Sequence, residues 1–134
     1  MAQTDMLAEI FECQKSLNKR IGIDTDALDE ERQVHWLLNY SRALTQETAE
    51  LVDSLPWKWW AAYQKYDRPN VQVEIVDLLH FLVSLAQVAG LTAADVHELY
   101  MKKNRVNFRR QETGYAVKDE TDNADVKLRR DGGI

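Results

Sequence analysis

The sequence has few of the residues that would indicate a disulfide scaffold, a zinc site or a sheet-rich fold. It contains one cysteine, Cys13, so neither an intramolecular disulfide nor a thiolate zinc site can be built. Only two prolines and five glycines occur in 134 residues, and no sustained alternation of apolar and polar residues predicts strands. A lone thiol fits a reducing compartment, so we expect a cytoplasmic protein.

Export and membrane signals are also absent. No basic region followed by an apolar one opens the chain, and no stretch of membrane-spanning length is free of charge. We therefore expect neither a leader nor a membrane partner. A net charge of −5 disfavours generic nucleic-acid binding, although basic residues cluster late in the chain.

What is present is helical periodicity. Apolar residues recur at spacings of three and four, which predicts an all-α fold, a bundle of four to five helices. We expect residues 1–117 to form one domain and 118–134 a polar, flexible tail. Thr4, Asn70 and a capping box at Thr92 are the expected helix starts. The expected helices cover about residues 5–20, 31–54, 71–89 and 93–111.

Apolar stripes suggest which helix faces are buried. The first helix carries Leu7, Ile10, Leu17 and Ile21, with the amides Gln14 and Asn18 beside the stripe. The main stripe of the second helix includes Val34, Leu37 and Leu38, and a second lane runs through Trp36, Tyr40, Glu47 and Glu50. The third helix is apolar on nearly every side from Val71 to Leu85, which predicts that it is buried.

Two pairs of carboxylates are the main candidate site. Glu47 with Glu50, and Glu74 with Asp77, are three residues apart, so each pair projects from one helix face. If these helices pack together, four oxygen-donor side chains suit two or more Mg²⁺ or Mn²⁺ ions that clamp a phosphoryl group for hydrolysis. The alternatives are a solvated edge for the first pair and a structural ion pair for the second.

A di-iron centre is a second metal hypothesis. Asp77 and His80 have the acid-x-x-His spacing of di-iron carboxylate bundles, but those bundles need the unit twice. His35 and His97 have no acid three residues before them. His80 is therefore interpreted as a packed or substrate-contacting histidine.

Basic and aromatic residues suggest a nucleotide ligand. Lys103, Asn107 and Arg110 share one lane of the last helix and could reach a polyphosphate, although a solvated basic face is the simpler alternative. Trp57, Trp60 and Phe81 offer surfaces on which a base could stack, or simply pack in a core. Gln14 and Asn18 need polar partners, which another helix or a pyrimidine edge would supply.

Three ordered segments together resemble a known family. Residues 47–54 with the Trp57-Lys58-Trp59-Trp60 run, residues 74–81, and residues 103–115 are similar to the signatures of the all-α nucleoside triphosphate pyrophosphatases. Within this MazG-like superfamily, the chain most resembles the dimeric dUTP diphosphatases over about residues 7–115.

The resemblance implies hydrolysis of dUTP to dUMP and pyrophosphate by water that Mg²⁺ activates. It implies four metal ligands, with Glu47 or Glu50, and preferably Glu47, also acting on the water as catalytic residue. The implied metal ligands are Glu47, Glu50, Glu74 and Asp77. The implied phosphate-binding residues are Lys58, Lys103, Arg110 and Tyr115. The residues implied around the base and deoxyribose are Gln14, Asn18, Trp60, His80, Phe81 and Asn107.

Substrate and assembly stay open at this point. Longer members of the dUTP branch insert many residues before the last helix, where this chain has only Gly90 and Leu91. Compact phage enzymes that act on dCTP and dUTP share the closing signature, so dCTP or both pyrimidines are the alternative substrates. A homodimer or homotetramer is expected. A non-enzymatic helical interaction module, with the acids in salt bridges to Lys58, Lys103 or Arg110, is the remaining alternative.

Overall fold

The structure, a computed structural model, describes residues 3–114 and 120–128. Four α-helices and no strand occur in these ranges, which confirms the all-α class. The chain divides into two compact units, Met1–Gly90 and Leu91–Ile134. The helices are α1 (Met6–Ile21), α2 (Glu30–Asp53), α3 (Arg68–Val88) and α4 (Ala93–Glu112), and a 3-10 helix spans Glu120–Asn123.

Local sequence signals account for the helix ends. The capping box that opens α4 is present, because Thr92 and Asp95 each bond the other's backbone N–H. Gly22 ends α1 with φ 103°, a left-handed conformation that glycine adopts without a steric penalty. The prediction of Thr4 as the cap of α1 was wrong by one residue, since the Asp5 carboxylate accepts the Ala8 N–H at 3.1 Å.

The predicted cap of α3 was also wrong. The Asp67 carboxylate accepts the backbone N–H of Asn70 at 3.2 Å, so α3 begins three residues earlier than expected. The Asp67 carboxylate offers two acceptor oxygens to the free N–H groups of the first turn, whereas the Asn side chain offers one. The side chain of Asn70 is thereby free to bond elsewhere.

Helix α3 is the central element of the first unit, because both α1 and α2 pack against it. Val83, Ser84 and Val88 are buried on the packed face. The prediction that α3 is buried all round was wrong for the single chain: Val76 and Leu82 are 52% and 56% exposed. Two neighbouring helices cover only part of its circumference, and the apolar remainder is left uncovered.

The buried faces of α1 and α2 also differ from the predicted stripes. Ile10 and Leu17 of the predicted α1 stripe are exposed, whereas Gln14 and Asn18 are 7% and 2% exposed. On α2, Val34 and Leu38 are exposed and the buried residue is Tyr40 of the second lane. Polar and aromatic side chains therefore make the contacts with α3 that the apolar stripes were expected to make.

By length and composition alone, α3 is the one helix among the described residues that could cross a membrane. The core helix of a soluble protein passes the same test. Glu74 and Asp77 lie on its packed face with Phe81, Ser84 and Val88, which is the lane that the sequence placed toward the interior.

Candidate functional site

Three of the four predicted acids converge where α2 packs along α3. Glu47, Glu50 and Glu74 each offer a carboxylate oxygen, and these oxygens lie within 4.8 Å of one another. The spacing of three residues places the two α2 glutamates on one face, and α3 supplies the third. Asp77 is half-buried and close enough for its charge to act on Glu47.

The cluster raises the pKa of Glu47 to about 7. Desolvation by the surrounding protein is the largest cause, followed by a hydrogen bond with Glu50 and by the negative charges of Glu50, Asp77 and Glu74. Each of these effects favours the protonated carboxyl over the carboxylate. Without a cation, the Glu47 carboxyl therefore holds a proton that it would ordinarily have lost well below neutral pH.

Asn70 orients the third glutamate of the cluster. Its side-chain amide donates to Ser54 Oγ at 2.5 Å and to Glu74 Oε1 at 3.3 Å, which ties the end of α2 to the start of α3. Glu74 Oε2 is buried and has no hydrogen-bond partner among the described residues. An oriented carboxylate with a bare buried oxygen, next to two more carboxylates, is a donor set that fits Mg²⁺ or Mn²⁺.

The raised pKa of Glu47 predicts how pH and metal affect stability. Between the ordinary value of 4.5 and about 7 the folded protein binds more protons than the unfolded chain. The melting temperature of the metal-free protein should therefore fall as pH rises through this window. Mg²⁺ must displace the Glu47 proton, so its stabilisation should be larger at pH 8 than at pH 5.5. Differential scanning fluorimetry in EDTA and in Mg²⁺ measures both effects, and equal shifts at both pH values would contradict the prediction.

A line of hydrogen bonds joins α1 to α3 in the same unit. His80 Nδ1 pairs with Gln14 Oε1 at 2.7 Å, Gln14 Nε2 donates to Asn18 Oδ1 at 3.0 Å, and Asn18 Nδ2 donates to Ser84 Oγ at 3.1 Å. Three of the predicted base-contacting residues are thus brought together. Gln14 and Asn18 therefore find their polar partners on another helix, α3, which was one of the two alternatives that the sequence left open.

Phe81 of α3 contacts the aromatic lane of α2. Its ring centroid is 6.2 Å from that of Tyr40, which in turn lies 5.7 Å from Trp36. Burial raises the pKa of Tyr40, and the nearby Ser84 hydroxyl partly opposes the rise. The contacts of Ser84 and of the Asn70 side chain were not predicted, because a short polar residue in a helix gives no signal of its distant partner.

An apolar cavity of about 540 Å³ lies between α1 and α3. Its walls are mainly aliphatic, and Gln14 and His80 are among its polar groups. This size and composition are typical of small-molecule sites, where a few polar groups orient a ligand within an apolar enclosure.

The tryptophan-rich segment after α2 is exposed. Trp60 stacks edge-on against both Trp57 and Trp59, with centroids 5.9 and 4.6 Å apart. The Lys58 ammonium lies 5.4 Å from the centre of the Trp57 ring and makes no ion pair with the described acids. A structural salt bridge from Lys58 to the glutamate cluster is therefore not formed.

The predicted basic lane lies in the second unit, on α4. Lys103 is half-buried and bonds Asn123, Asn107 is exposed, and Arg110 is half-buried. Asn107 and Arg110 line a shallow depression together with Phe108. That these residues act together with the glutamates in one site stays a prediction. Tyr115 lies outside the described residues.

Two relatives found by comparison with known proteins are both named dCTP pyrophosphatase. A dCTP pyrophosphatase of Enterobacteria phage T4 is 27% identical, over 61% of this chain and 62% of the relative. A dCTP pyrophosphatase of Enterobacteria phage LZ5 is 29% identical, over 60% of each protein. The chain thus spans about 60% of the length of the curated relatives it matches. No solved structure matches it.

The family comparison covers the unit that holds the glutamate cluster. The sequence model of a family described as dUTPase matches residues 6–89, which is more than half of the chain and includes α1, α2 and α3. The matched range contains both acid pairs and the Gln14 to Ser84 line of hydrogen bonds. The chain therefore belongs to this dUTPase family, of the all-α nucleoside triphosphate pyrophosphatase type.

Proposed function

We propose that the protein is a metal-dependent nucleotide pyrophosphatase that hydrolyses dUTP to dUMP and pyrophosphate. The observation that carries the proposal is the convergence of Glu47, Glu50 and Glu74, with one buried oxygen of Glu74 left bare. Family membership supports the reaction class, because the family is described as dUTPase.

Glu47, Glu50, Glu74 and Asp77 would hold two or more Mg²⁺ ions, with Mn²⁺ as a substitute. When bound, these ions would supply Lewis-acid stabilisation of the phosphoryl oxygens and a more acidic water. We assign Glu47 as the proton acceptor from the attacking water, because its carboxylate oxygen lies within 4.8 Å of those of Glu50 and Glu74, where a water activated by these ions would be bound. Asn70 holds Glu74 in place.

The other predicted residues take roles around the substrate. Phosphates are bound by basic and hydroxyl side chains, and the base is bound by amide, imidazole and aromatic side chains. The first set is Lys58, Lys103, Arg110 and Tyr115. The second set is Gln14, Asn18, Trp60, His80, Phe81 and Asn107.

A nucleotide panel tests the proposal. Purified protein is mixed with each of the deoxynucleoside and ribonucleoside triphosphates, with Mg²⁺ or with EDTA, and pyrophosphate release is measured. We expect Mg²⁺-dependent release of pyrophosphate, with dUTP the best substrate and ribonucleotides poor ones. Absence of turnover with every nucleotide, despite folded protein and added metal, would refute the proposal.

The second candidate is a dCTP pyrophosphatase, or an enzyme that accepts both pyrimidines. Two relatives named dCTP pyrophosphatase favour it. The ratio of kcat/KM for dUTP and dCTP separates the two candidates. A ratio above about 10 corresponds to roughly 1.4 kcal/mol of discrimination and would assign dUTP.

We also propose that a second copy of the chain covers the exposed apolar face of α3, as a homodimer or within a homotetramer. Ile75, Val76 and Leu82 are each more than half exposed on the side of this helix away from α2. Lipid is a poor occupant of the same face, because Glu74 and Asp77 on α3 would have to enter the membrane with it.

A further inference from the structure

The hydrogen-bonded line from Ser84 to His80 has a direction. The side-chain amides of Asn18 and Gln14 can each be flipped by 180°, and the Ser84 hydroxyl proton can rotate. The hydrogens of such a line can therefore all point in one direction or all in the other, and these are its two polarities. In one polarity every donated hydrogen points along the line toward Ser84. In the other, every donated hydrogen points toward His80. The two polarities leave the hydrogen on opposite nitrogens of the His80 ring.

Ser84 determines which polarity is present. Its Oγ donates to the backbone carbonyl of His80 at 3.0 Å, which uses the only proton of the hydroxyl. Toward Asn18 the same oxygen can then only accept, and it accepts from Nδ2 at 3.1 Å. Ser84 therefore acts as the fixed end of the line.

The direction of the remaining hydrogen bonds follows from Ser84. With Nδ2 committed to Ser84, Asn18 presents Oδ1 to the Gln14 amide nitrogen. Gln14 in turn presents Oε1 to His80 Nδ1 at 2.7 Å, so Nδ1 must carry the hydrogen. In the neutral imidazole, Nε2 is then a bare acceptor, and no described residue hydrogen-bonds to it.

Burial makes the reversed polarity costly. With the Ser84 proton on the His80 carbonyl, a flipped Asn18 amide would set Oδ1 against Ser84 Oγ, two acceptors with no hydrogen between them. Ser84, Asn18 and Gln14 are 0%, 2% and 7% exposed, so no bulk water can supply that hydrogen. While the Ser84 proton is on the His80 carbonyl, the Tyr40 hydroxyl beside it can approach Ser84 Oγ only as a donor. Its contact is compatible with the acceptor role of Ser84 toward Asn18.

We propose that Ser84 is a positioning residue that acts through Asn18 and Gln14 to hold His80 with Nε2 as a hydrogen-bond acceptor at the α1–α3 cavity. The group that Nε2 accepts from is an N–H on the edge of a pyrimidine base. Uracil has such a group at N3 and cytosine at its exocyclic amine. The identity of the ligand rests on the proposed function, whereas the tautomer does not.

The tautomer is tested by nitrogen NMR of the histidine rings, without nucleotide. Spectra are recorded about two units above the ordinary imidazole pKa of about 6.5, where the rings are neutral. His80→Gln identifies the His80 signals by their loss. We expect wild type to show hydrogen on Nδ1 alone and Ser84→Ala to show both tautomers. A wild-type hydrogen on Nε2, or an unchanged tautomer in Ser84→Ala, would overturn the proposal.

Two further variants separate direction from packing. Ser41→Ala removes a helical serine hydroxyl that likewise donates to a backbone carbonyl, that of Leu37, but that lies at an exposed position, and it should leave the His80 signals unchanged. Adding Gln14→Glu to Ser84→Ala should restore hydrogen on Nδ1, because a carboxylate at position 14 can only accept. If the double variant still showed both tautomers, the relay through Gln14 would be wrong.

Steady-state kinetics tests the binding role. With the triphosphate that wild type prefers, Ser84→Ala should raise KM roughly 3- to 10-fold, the value of one hydrogen bond, and leave kcat within about twofold. An unchanged KM with a mixed tautomer would overturn the base contact. Failure of wild type to hydrolyse any nucleotide would instead refute the proposed function and leave the NMR result standing.

Discussion

Glu47→Gln should lower kcat/KM for nucleoside triphosphate hydrolysis by at least about 10³-fold. Glu47 is the described acid of the cluster whose pKa is raised to about 7, and its carboxylate oxygen lies among those of Glu50 and Glu74. A glutamine side chain has nearly the same shape but can neither accept a proton from water nor offer a charged oxygen to a cation. Pyrophosphate release at saturating Mg²⁺ measures the loss.

The same substitution should stabilise the metal-free protein. Removing one of several crowded carboxylates relieves the repulsion that raises the Glu47 pKa, so the melting temperature in EDTA at pH 8 should rise by a few degrees. The stabilisation that Mg²⁺ gives to wild type should largely disappear. Glu12→Gln, the same chemical change at an exposed position of α1, is the control and should alter neither quantity.

The opposite result would favour the interaction-module alternative. If the acids served structural ion pairs, Glu47→Gln would lower the melting temperature by the same amount with and without Mg²⁺. Nucleotide turnover would then be absent from wild type as well. The combination of lost activity with raised metal-free stability is what distinguishes a metal site from a buried salt bridge.

Features set by short-range sequence patterns could be predicted well. The spacing of Glu47 and Glu50, the capping box at Thr92 and the end of α1 at Gly22 each depend on residues within one helical turn. The packing of α2 against α3 was a condition of the predicted metal site, and the structure meets this condition. These local patterns predicted the fold class and placed each acid pair on one helix face.

Features that depend on which face is covered could not be predicted. Periodicity showed an apolar stripe on α1 but not that α3 packs on the neighbouring face, where Gln14 and Asn18 are satisfied by Ser84 and His80. Asparagine is a residue type that often caps helices, but Asp67 already caps α3. The side chain of Asn70 bonds Glu74 instead. In each case the deciding partner is distant in sequence or competes for the same backbone group.

The second large effect that we expect is on self-association, when a charge is placed on the uncovered face of α3. Leu82 is 56% exposed, and the neighbouring side chains Ile75 and Val76 are exposed to a similar extent. Covering each such half-exposed side chain is worth about 1 kcal/mol per chain, so a second copy would gain several kcal/mol from this helix. Leu82→Glu would bury a charge without a partner in that contact.

We therefore expect Leu82→Glu to weaken self-association at least about 100-fold, which corresponds to roughly 2.8 kcal/mol. Analytical ultracentrifugation should show wild type as a dimer or tetramer at micromolar concentration and the variant as a monomer with a lower melting temperature. Gln46→Glu adds the same charge at an exposed polar position of α2, outside the apolar face of α3, and should leave assembly unchanged. A monomeric wild type, or an assembled Leu82→Glu variant, would show that another surface or no second copy covers α3, and the apolar character of this helix would then need a different explanation.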